Sequence, residues 1–139
     1  MDVFSFEKRS AVMASIRSGD TRCEWIVRRF LFSHGYRYRI HDKRLVGKPD
    51  IVLPKYRTVI FVHGCFWHGH TACRYGRESR TNLRFWREKM LKNSLRDARV
   101  TESLRRLGWR VIVLWECELR SKQLREATLE GLLCEIQSI

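Results

Sequence analysis

The chain has 139 residues, with 28 Lys or Arg against 15 Asp or Glu, so its formal net charge is +13. At 44% hydrophobic and 12% aromatic residues, the composition excludes intrinsic disorder as the main state and predicts a single domain over residues 1–139. Its apolar runs fall short of the roughly 20 residues of a membrane span, and the positive charge predicts a polyanionic partner, nucleic acid ahead of an anionic membrane.

The cysteines and the N-terminal segment predict a compartment. The segment MDVFSFEKRS does not show the basic and apolar regions of a secretory signal, so we expect a cytoplasmic protein. An odd count of five cysteines in such a chain disfavours a disulfide framework and favours metal binding or burial.

Hydrophobic periodicity predicts an alternation of helices and strands. A helix over 7–17 and a break at 18–20 precede a second helix, which a capping box at Thr21–Glu24 begins and Gly35 ends. Strands are predicted over 36–40, 51–53, 58–62 and 110–115, and further helices over 83–107 and 121–138. This order predicts an α/β fold, a central mixed sheet with helices on both faces.

Two carboxylates stand out near these elements. Asp50 lies immediately before the apolar strand 51–53, where it can project the hard oxygen ligand that Mg²⁺-dependent phosphodiester chemistry needs. Pro49–Asp50 is also common turn material, so a turn or cap role stays open. Glu24 closes the predicted capping box and can also reach a metal region.

The segment 63–73 is neither helical nor strand-like in period. Cys65, His70 and Cys73, with Cys117 as the fourth ligand, can hold one tetrahedral structural zinc, although free cysteines are also common buried residues.

Other residues of the same segment suggest proton transfer and DNA deformation. His63 and His68 are free of the zinc role and suit proton transfer at neutral pH, or are ordinary loop histidines. Phe66 and Trp67 can act as a wedge between DNA base steps, or pack beneath the zinc.

The positive charge is concentrated in one segment. Residues 74–99 hold nine Arg or Lys and three acids, which is +6 of the total +13, with Phe85 and Trp86 among them. A solvated helix face usually mixes the two signs of charge, so this segment favours a phosphate-binding surface.

Several motifs carry a family resemblance that extends from Arg9 to about Arg120. Among them are Gly47-Lys-Pro-Asp50, His63-Gly-Cys-Phe-Trp-His68, Phe85-Trp-Arg-Glu-Lys89 and Trp115-Glu-Cys117. With them the chain resembles the very-short-patch-repair (Vsr) DNA mismatch endonucleases. The resemblance implies a restriction-endonuclease-like fold with a structural Zn²⁺, and a Mg²⁺-dependent nick 5′ to the thymine of a T:G mismatch left by 5-methylcytosine deamination.

The resemblance also implies roles for individual residues. Asp50 resembles the Mg²⁺ carboxylate, assisted by the backbone carbonyl of Val62, and His68 the general base, with His63 and Glu24 as supporting groups. Phe66, Trp67 and Trp86 match intercalating aromatics, and Cys65, His70, Cys73 and Cys117 match the zinc ligands. Two residues separate His70 from Cys73 where the family pattern has one, and Val62 stands where it has threonine.

The implied partner is double-stranded DNA with a T:G mismatch, and the implied functional link is to a cytosine-5 DNA methyltransferase. We expect a monomer associated with the nucleoid, with residues 1–20 as a mobile helix that contacts DNA. The alternatives are a nicking endonuclease with relaxed mismatch or site specificity, and a zinc-stabilised DNA-binding module without catalysis.

Overall fold

The computed structural model describes residues 21–65 and 82–138, so the predicted helix over 7–17 and the expected DNA-contacting segment 1–20 lie outside it. In chain order the elements are α1 (Arg22–Ser33), β1 (Arg39–Ile40), β2 (Ile51–Leu53), a 3₁₀ turn (Pro54–Tyr56), β3 (Thr58–His63), α2 (Leu83–Arg106), β4 (Arg110–Trp115), α3 (Glu116–Arg120) and α4 (Lys122–Gln137). None of the helices in this part of the chain combines the length and apolar character that crossing a bilayer requires.

The strands form one mixed sheet in the order β1-β2-β3-β4. The pairs β1/β2 and β2/β3 are antiparallel, and β3/β4 is parallel with His63 opposite Trp115. The amino end of β2 and the carboxyl ends of β3 and β4 therefore lie at the same edge of the sheet. This edge collects Asp50, Val62 and the residues that follow His63 and Trp115.

The predicted helix boundaries at α1 are confirmed by hydrogen bonds. Thr21 Oγ1 accepts the N–H of Glu24 at 3.3 Å, which is the Thr21 half of the predicted capping box. At the other end Gly35 has φ +85°, its N–H donates to the carbonyl of Phe32, and the N–H of Tyr36 donates to that of Leu31. This is a Schellman motif, in which the positive φ favours glycine.

Two predicted elements differ from the structure. The strand predicted over 36–40 is limited to Arg39–Ile40, because Tyr36 completes the helix-ending motif of α1. The helix predicted over 121–138 is preceded by the short α3, and Ser121 begins α4 by accepting the N–H of Leu124 at its Oγ.

Helices cover both faces of the sheet, which confirms the predicted α/β architecture. The face packed by α1, α3 and α4 carries the larger cluster of buried residues, namely Val27, Leu31, Tyr36, Ile51, Leu53, Ile60, Ile112, Leu114, Leu119, Leu129, Leu132 and Ile136. The face packed by α2 carries Val52, Val59, Phe61 and Leu104. Alternate residues of β2, β3 and β4 thus belong to opposite faces, as the period of two requires.

Candidate metal centre

Asp50 lies at the sheet edge with one carboxylate oxygen already fixed. Its Oδ2 accepts the backbone N–H of Val62 at 2.7 Å, which ties the start of β2 to the end of β3. The Asp50 side chain is 18% exposed, so it remains open to solvent on one side. Asp50 can therefore fill the turn role that the sequence left open and also act as a ligand, since its Oδ1 atom takes no part in this hydrogen bond.

Glu24 lies in the first turn of α1 and is buried. Its Oε2 accepts from Arg28 Nη2 at 2.9 Å, one helical turn later, and both side chains are 3% exposed. This buried pair holds the Glu24 carboxylate in one orientation, because breaking it would leave a buried charge without its partner.

His41 is the site residue that the sequence analysis missed. Its Nδ1 lies 4.0 Å from Asp50 Oδ1, and its Nε2 lies 3.4 Å from Glu24 Oε2 and 3.1 Å from Arg28 Nη2. The residue follows β1, and the β1/β2 register places Ile40 opposite Ile51, so His41 faces Asp50 across the ends of the two strands. No motif in the sequence points to it, because only the β1/β2 pairing brings it to Asp50.

Glu24, His41 and Asp50 form a group that can hold a divalent cation. Their ligand atoms all lie within 4.8 Å of one another. Two carboxylates and an imidazole supply oxygen and nitrogen donors, and the two negative charges exceed the one positive charge of Arg28. The nearby Asp42 has a different role: a side-chain hydrogen bond from Arg44 lowers the pKa of its carboxyl to about 2.

His63 lies at the carboxyl end of β3 and is 7% exposed. Its ring packs against those of Phe61 and Trp115, with centroid separations of 5.6 and 5.3 Å. His63, which is expected to be a supporting group, is therefore packed between two aromatic rings at the same sheet edge as Asp50.

The structure brings together two of the four predicted zinc ligands. Cys65 is fully buried, and its Sγ accepts the backbone N–H of Cys117 at 3.4 Å. Each cysteine lies two residues beyond the paired His63 and Trp115, so the parallel β3/β4 pair places them side by side. His70 and Cys73 lie outside the described residues, as do Phe66, Trp67 and His68.

Helix α2 presents a basic and aromatic surface. It holds eight Arg or Lys and three acids, a net charge of +5, and Leu104 is its buried residue. Phe85 is 57% exposed and meets Trp86 edge to face at 5.2 Å, and Lys89 lies over the Trp86 ring. This arrangement of basic and aromatic side chains suits contact with a nucleic acid, which carries phosphate charges and stacked bases.

Comparison with known proteins identifies the family. Residues 1–74 match the family "DNA mismatch endonuclease Vsr". The chain is 51% identical over 136 residues to the type II nicking enzyme V.NmeAIP of Neisseria meningitidis serogroup A, covering 98% of this chain and 96% of that protein. It is 48% identical to the type II nicking enzyme V.XorIIP of Xanthomonas oryzae pv. oryzae, covering 95% and 96%.

A third relative carries the family name itself. The DNA mismatch endonuclease Vsr of Escherichia coli K12 is 43% identical over 122 residues, which cover 88% of this chain and 78% of that protein. The family match over residues 1–74 includes Asp50. The chain therefore belongs to the Vsr family of DNA endonucleases.

Proposed function

We propose that this protein is a Mg²⁺-dependent endonuclease that nicks one DNA strand 5′ to the thymine of a T:G mismatch. The observation that carries the proposal is the group Glu24, His41 and Asp50, positioned at a sheet edge beside a basic helix in a chain of the Vsr family. A relative named as a mismatch endonuclease supports the choice of substrate.

The residues at the sheet edge fit the proposed ion. Asp50 Oδ1 would be one ligand, since Oδ2 is held by the Val62 N–H. In a strand the N–H and C=O of one residue point to the same side, so the Val62 carbonyl lies on the Asp50 side, beyond the end of β2. Bound Mg²⁺ would supply Lewis-acid stabilisation of the charge that develops on the scissile phosphate.

Proton transfer would depend on His68, with Glu24 and His63 as supporting groups. His68 is the proposed general base that takes a proton from the attacking water, because an imidazole suits this role at neutral pH. Glu24 and His63 would support it: Arg28 fixes the Glu24 carboxylate, and Phe61 and Trp115 fix the His63 ring. His68 is proposed from the family motif alone.

Helix α2 would hold the DNA. Its exposed Arg and Lys side chains would contact phosphates, and Trp86, together with Phe66 and Trp67, would intercalate beside the mispair. A T:G pair costs less to unstack than a matched pair, so the deformation energy of the duplex contributes to selectivity.

Cys65, His70, Cys73 and Cys117 would hold a structural zinc. The contact between Cys65 and Cys117 supports two of these ligands, and four protein ligands leave no position for catalysis. Burial raises the pKa of a different thiol, Cys23, which packs against the larger core and suits a neutral structural role.

The proposed setting is the cytoplasm, at the nucleoid, with a functional link to a cytosine-5 DNA methyltransferase, whose product generates T:G mismatches by deamination. A monomer suffices, because a single-strand nick needs one active site.

A nicking endonuclease with site specificity is the second candidate. Two relatives, at 51% and 48% identity, are named as type II nicking enzymes. A DNA-binding module without catalysis is disfavoured because the chain belongs to a family of endonucleases and has a candidate metal-binding group at the sheet edge.

One panel of substrates tests these proposals. We would measure nicking of T:G, other mismatched and matched duplexes in Mg²⁺, with wild type, Asp50→Asn and the matched control Asp42→Asn. We expect T:G to be cut fastest, and Asp50→Asn to lower the rate by about 100-fold or more, since metal-ion stabilisation supplies several kcal/mol. Asp42→Asn should retain wild-type nicking.

Two results would contradict the proposals. Full nicking by Asp50→Asn would show that the catalytic site lies elsewhere. Equal cutting of T:G and matched duplexes would reject mismatch specificity and favour the second candidate.

A further inference from the structure

We infer that His41 is a protein ligand of the divalent ion at Asp50, binding through its Nδ1 atom with Glu24 as the acceptor for its Nε2 proton. The inference rests on the proposed metal role of Asp50. It adds a nitrogen donor to a site for which the sequence predicts only oxygen ligands.

The backbone directs the His41 ring into the site. The residue has φ +46°, a left-handed conformation, and its N–H donates to the Asp50 carbonyl at 3.4 Å. Among residues other than glycine, such a conformation is several-fold enriched in Asn, Asp and His. Backbone pairing therefore fixes His41 relative to Asp50 independently of any side-chain contact.

The separation of the donor atoms fits a shared ion. Nδ1 lies 4.0 Å from Asp50 Oδ1, which is too long for a hydrogen bond. Two ligands at about 2.1 Å from one six-coordinate ion are roughly 3 Å apart when adjacent and roughly 4.2 Å apart when opposite. The observed distance of 4.0 Å is about 1 Å longer than the adjacent spacing, so a small movement of either side chain would place both donor atoms on one ion.

The other ring nitrogen has its own partners. Nε2 lies 3.4 Å from Glu24 Oε2, so a proton on Nε2 can be donated to that carboxylate while the Nδ1 lone pair faces Asp50. A carboxylate that accepts the second N–H of a ligating histidine is the usual partner of a metal-bound imidazole.

The same ring has a second tautomer. Arg28 Nη2 lies 3.1 Å from Nε2 and can donate to it, which moves the imidazole proton to Nδ1. A cation at Asp50 favours the first tautomer, because a proton on Nδ1 would point at the cation. Glu24 is thus the Nε2 partner of the first tautomer and Arg28 that of the second. Exchange between the two tautomers leaves the charge of the ring unchanged.

The charges also favour His41 over Glu24 as the direct ligand. Glu24 is paired with Arg28 at 2.9 Å in a buried environment, so pulling it onto an ion would expose the guanidinium to that ion. His41 is 31% exposed and offers an imidazole nitrogen beside Asp50. The structure thus assigns Asp50 and His41 as ligands of the ion, and Glu24 and Arg28 as hydrogen-bond partners of the His41 ring.

The test uses Mn²⁺ bound to the full chain, observed by electron spin echo envelope modulation, in which a directly bound ¹⁴N gives a characteristic signal. We expect this signal in the wild type and its loss in His41→Asn, a substitution that suits the positive φ of residue 41. The matched control is His34→Asn, an exposed histidine just beyond α1, which should retain it. Denaturant unfolding of His41→Asn would establish that the variant is folded.

The outcomes separate this inference from the proposed function. Mn²⁺ binding that depends on Asp50 but gives no ¹⁴N signal, or a signal that persists in folded His41→Asn, would overturn the role of His41 and leave the Asp50 site intact. Mn²⁺ binding that is unchanged in Asp50→Asn would overturn the proposed metal site itself. If His41→Asn failed to fold, His41→Gln would serve for the same measurement.

Discussion

The two faces of the sheet are built differently. On one face α1, α3 and α4 bury twelve residues of the described chain in a single cluster, from Val27 to Ile136. On the other face the 24-residue helix α2 contributes Leu104 as its buried residue, and Phe85, Leu91 and Leu95 are more than half exposed. Within the described ranges, the first face provides most of the buried apolar surface.

This difference teaches how the chain combines a stable fold with a binding surface. Burial of apolar side chains stabilises the fold on the first face. On the second face, α2 is held to the sheet near its C-terminal end, where Leu104 packs with Val52, Val59 and Phe61. Further toward its N-terminal end the helix carries basic and aromatic side chains, among them Phe85, which is 57% exposed.

Substitution in the larger core should have the largest effect on stability. Leu132 is fully buried, and Leu132→Ala should lower the free energy of unfolding by about 2–5 kcal/mol, because it removes apolar contacts and leaves a cavity. The matched control is Leu95→Ala on α2, which is 53% exposed and should change it by about 0.5 kcal/mol or less. Urea denaturation measures both, and equal losses would show that the two faces do not differ.

A second substitution tests the contact between α2 and the loop that precedes β2. Gly47 has φ +78°, and a Cβ atom at this position would overlap Cγ1 of Val100 on α2. Gly47→Ala should cost about 2–3 kcal/mol, from the strained backbone and the overlap together.

The double variant Gly47→Ala, Val100→Ala separates these two causes. Removing the Val100 methyl groups relieves the overlap and leaves the backbone strain, so the double variant should be less destabilised than the sum of the single variants. Strict additivity in urea denaturation would mean that Gly47 and α2 are not in contact.

Loss of charge from α2 should leave stability nearly unchanged and weaken DNA binding. Changing Arg96 and Arg99 to Gln should reduce the slope of log K against log salt by about 2, if each contacts one phosphate. The matched control changes Lys122 and Arg125 of α4, on the opposite face. Fluorescence anisotropy at several salt concentrations measures the slopes, and an equal reduction in the control would place the DNA surface elsewhere.

The fold was largely predictable from the sequence because its signals are local. Gly35 ends α1 as expected, and Gly108 follows the predicted helix 83–107; each has a positive φ and the hydrogen bonds of a Schellman motif. The apolar runs 51–53, 58–62 and 110–115 predicted the three longer strands, since buried strands read as continuous apolar segments. The short β1 was overestimated, because Tyr36 serves the end of α1.

The site was only partly predictable because its residues are distant in sequence. Asp50 and Glu24 stood out by type and position, and the structure brings them together. His41 has no motif, and only the antiparallel register of β1 and β2 places it near Asp50. The proximity of Cys65 and Cys117 likewise depends on the parallel pairing of β3 and β4, which no local pattern specifies.

The missing side chain at Gly47 has a mechanical consequence. The loop between β1 and β2 begins at His41 and ends at Asp50, and at Gly47 its backbone rests directly on Val100 of α2. If α2 binds DNA as proposed, a displacement of this helix would press on the loop that carries His41 and Asp50. DNA binding by α2 and the positions of the proposed metal ligands would thus be mechanically coupled through the close contact of Gly47 with Val100.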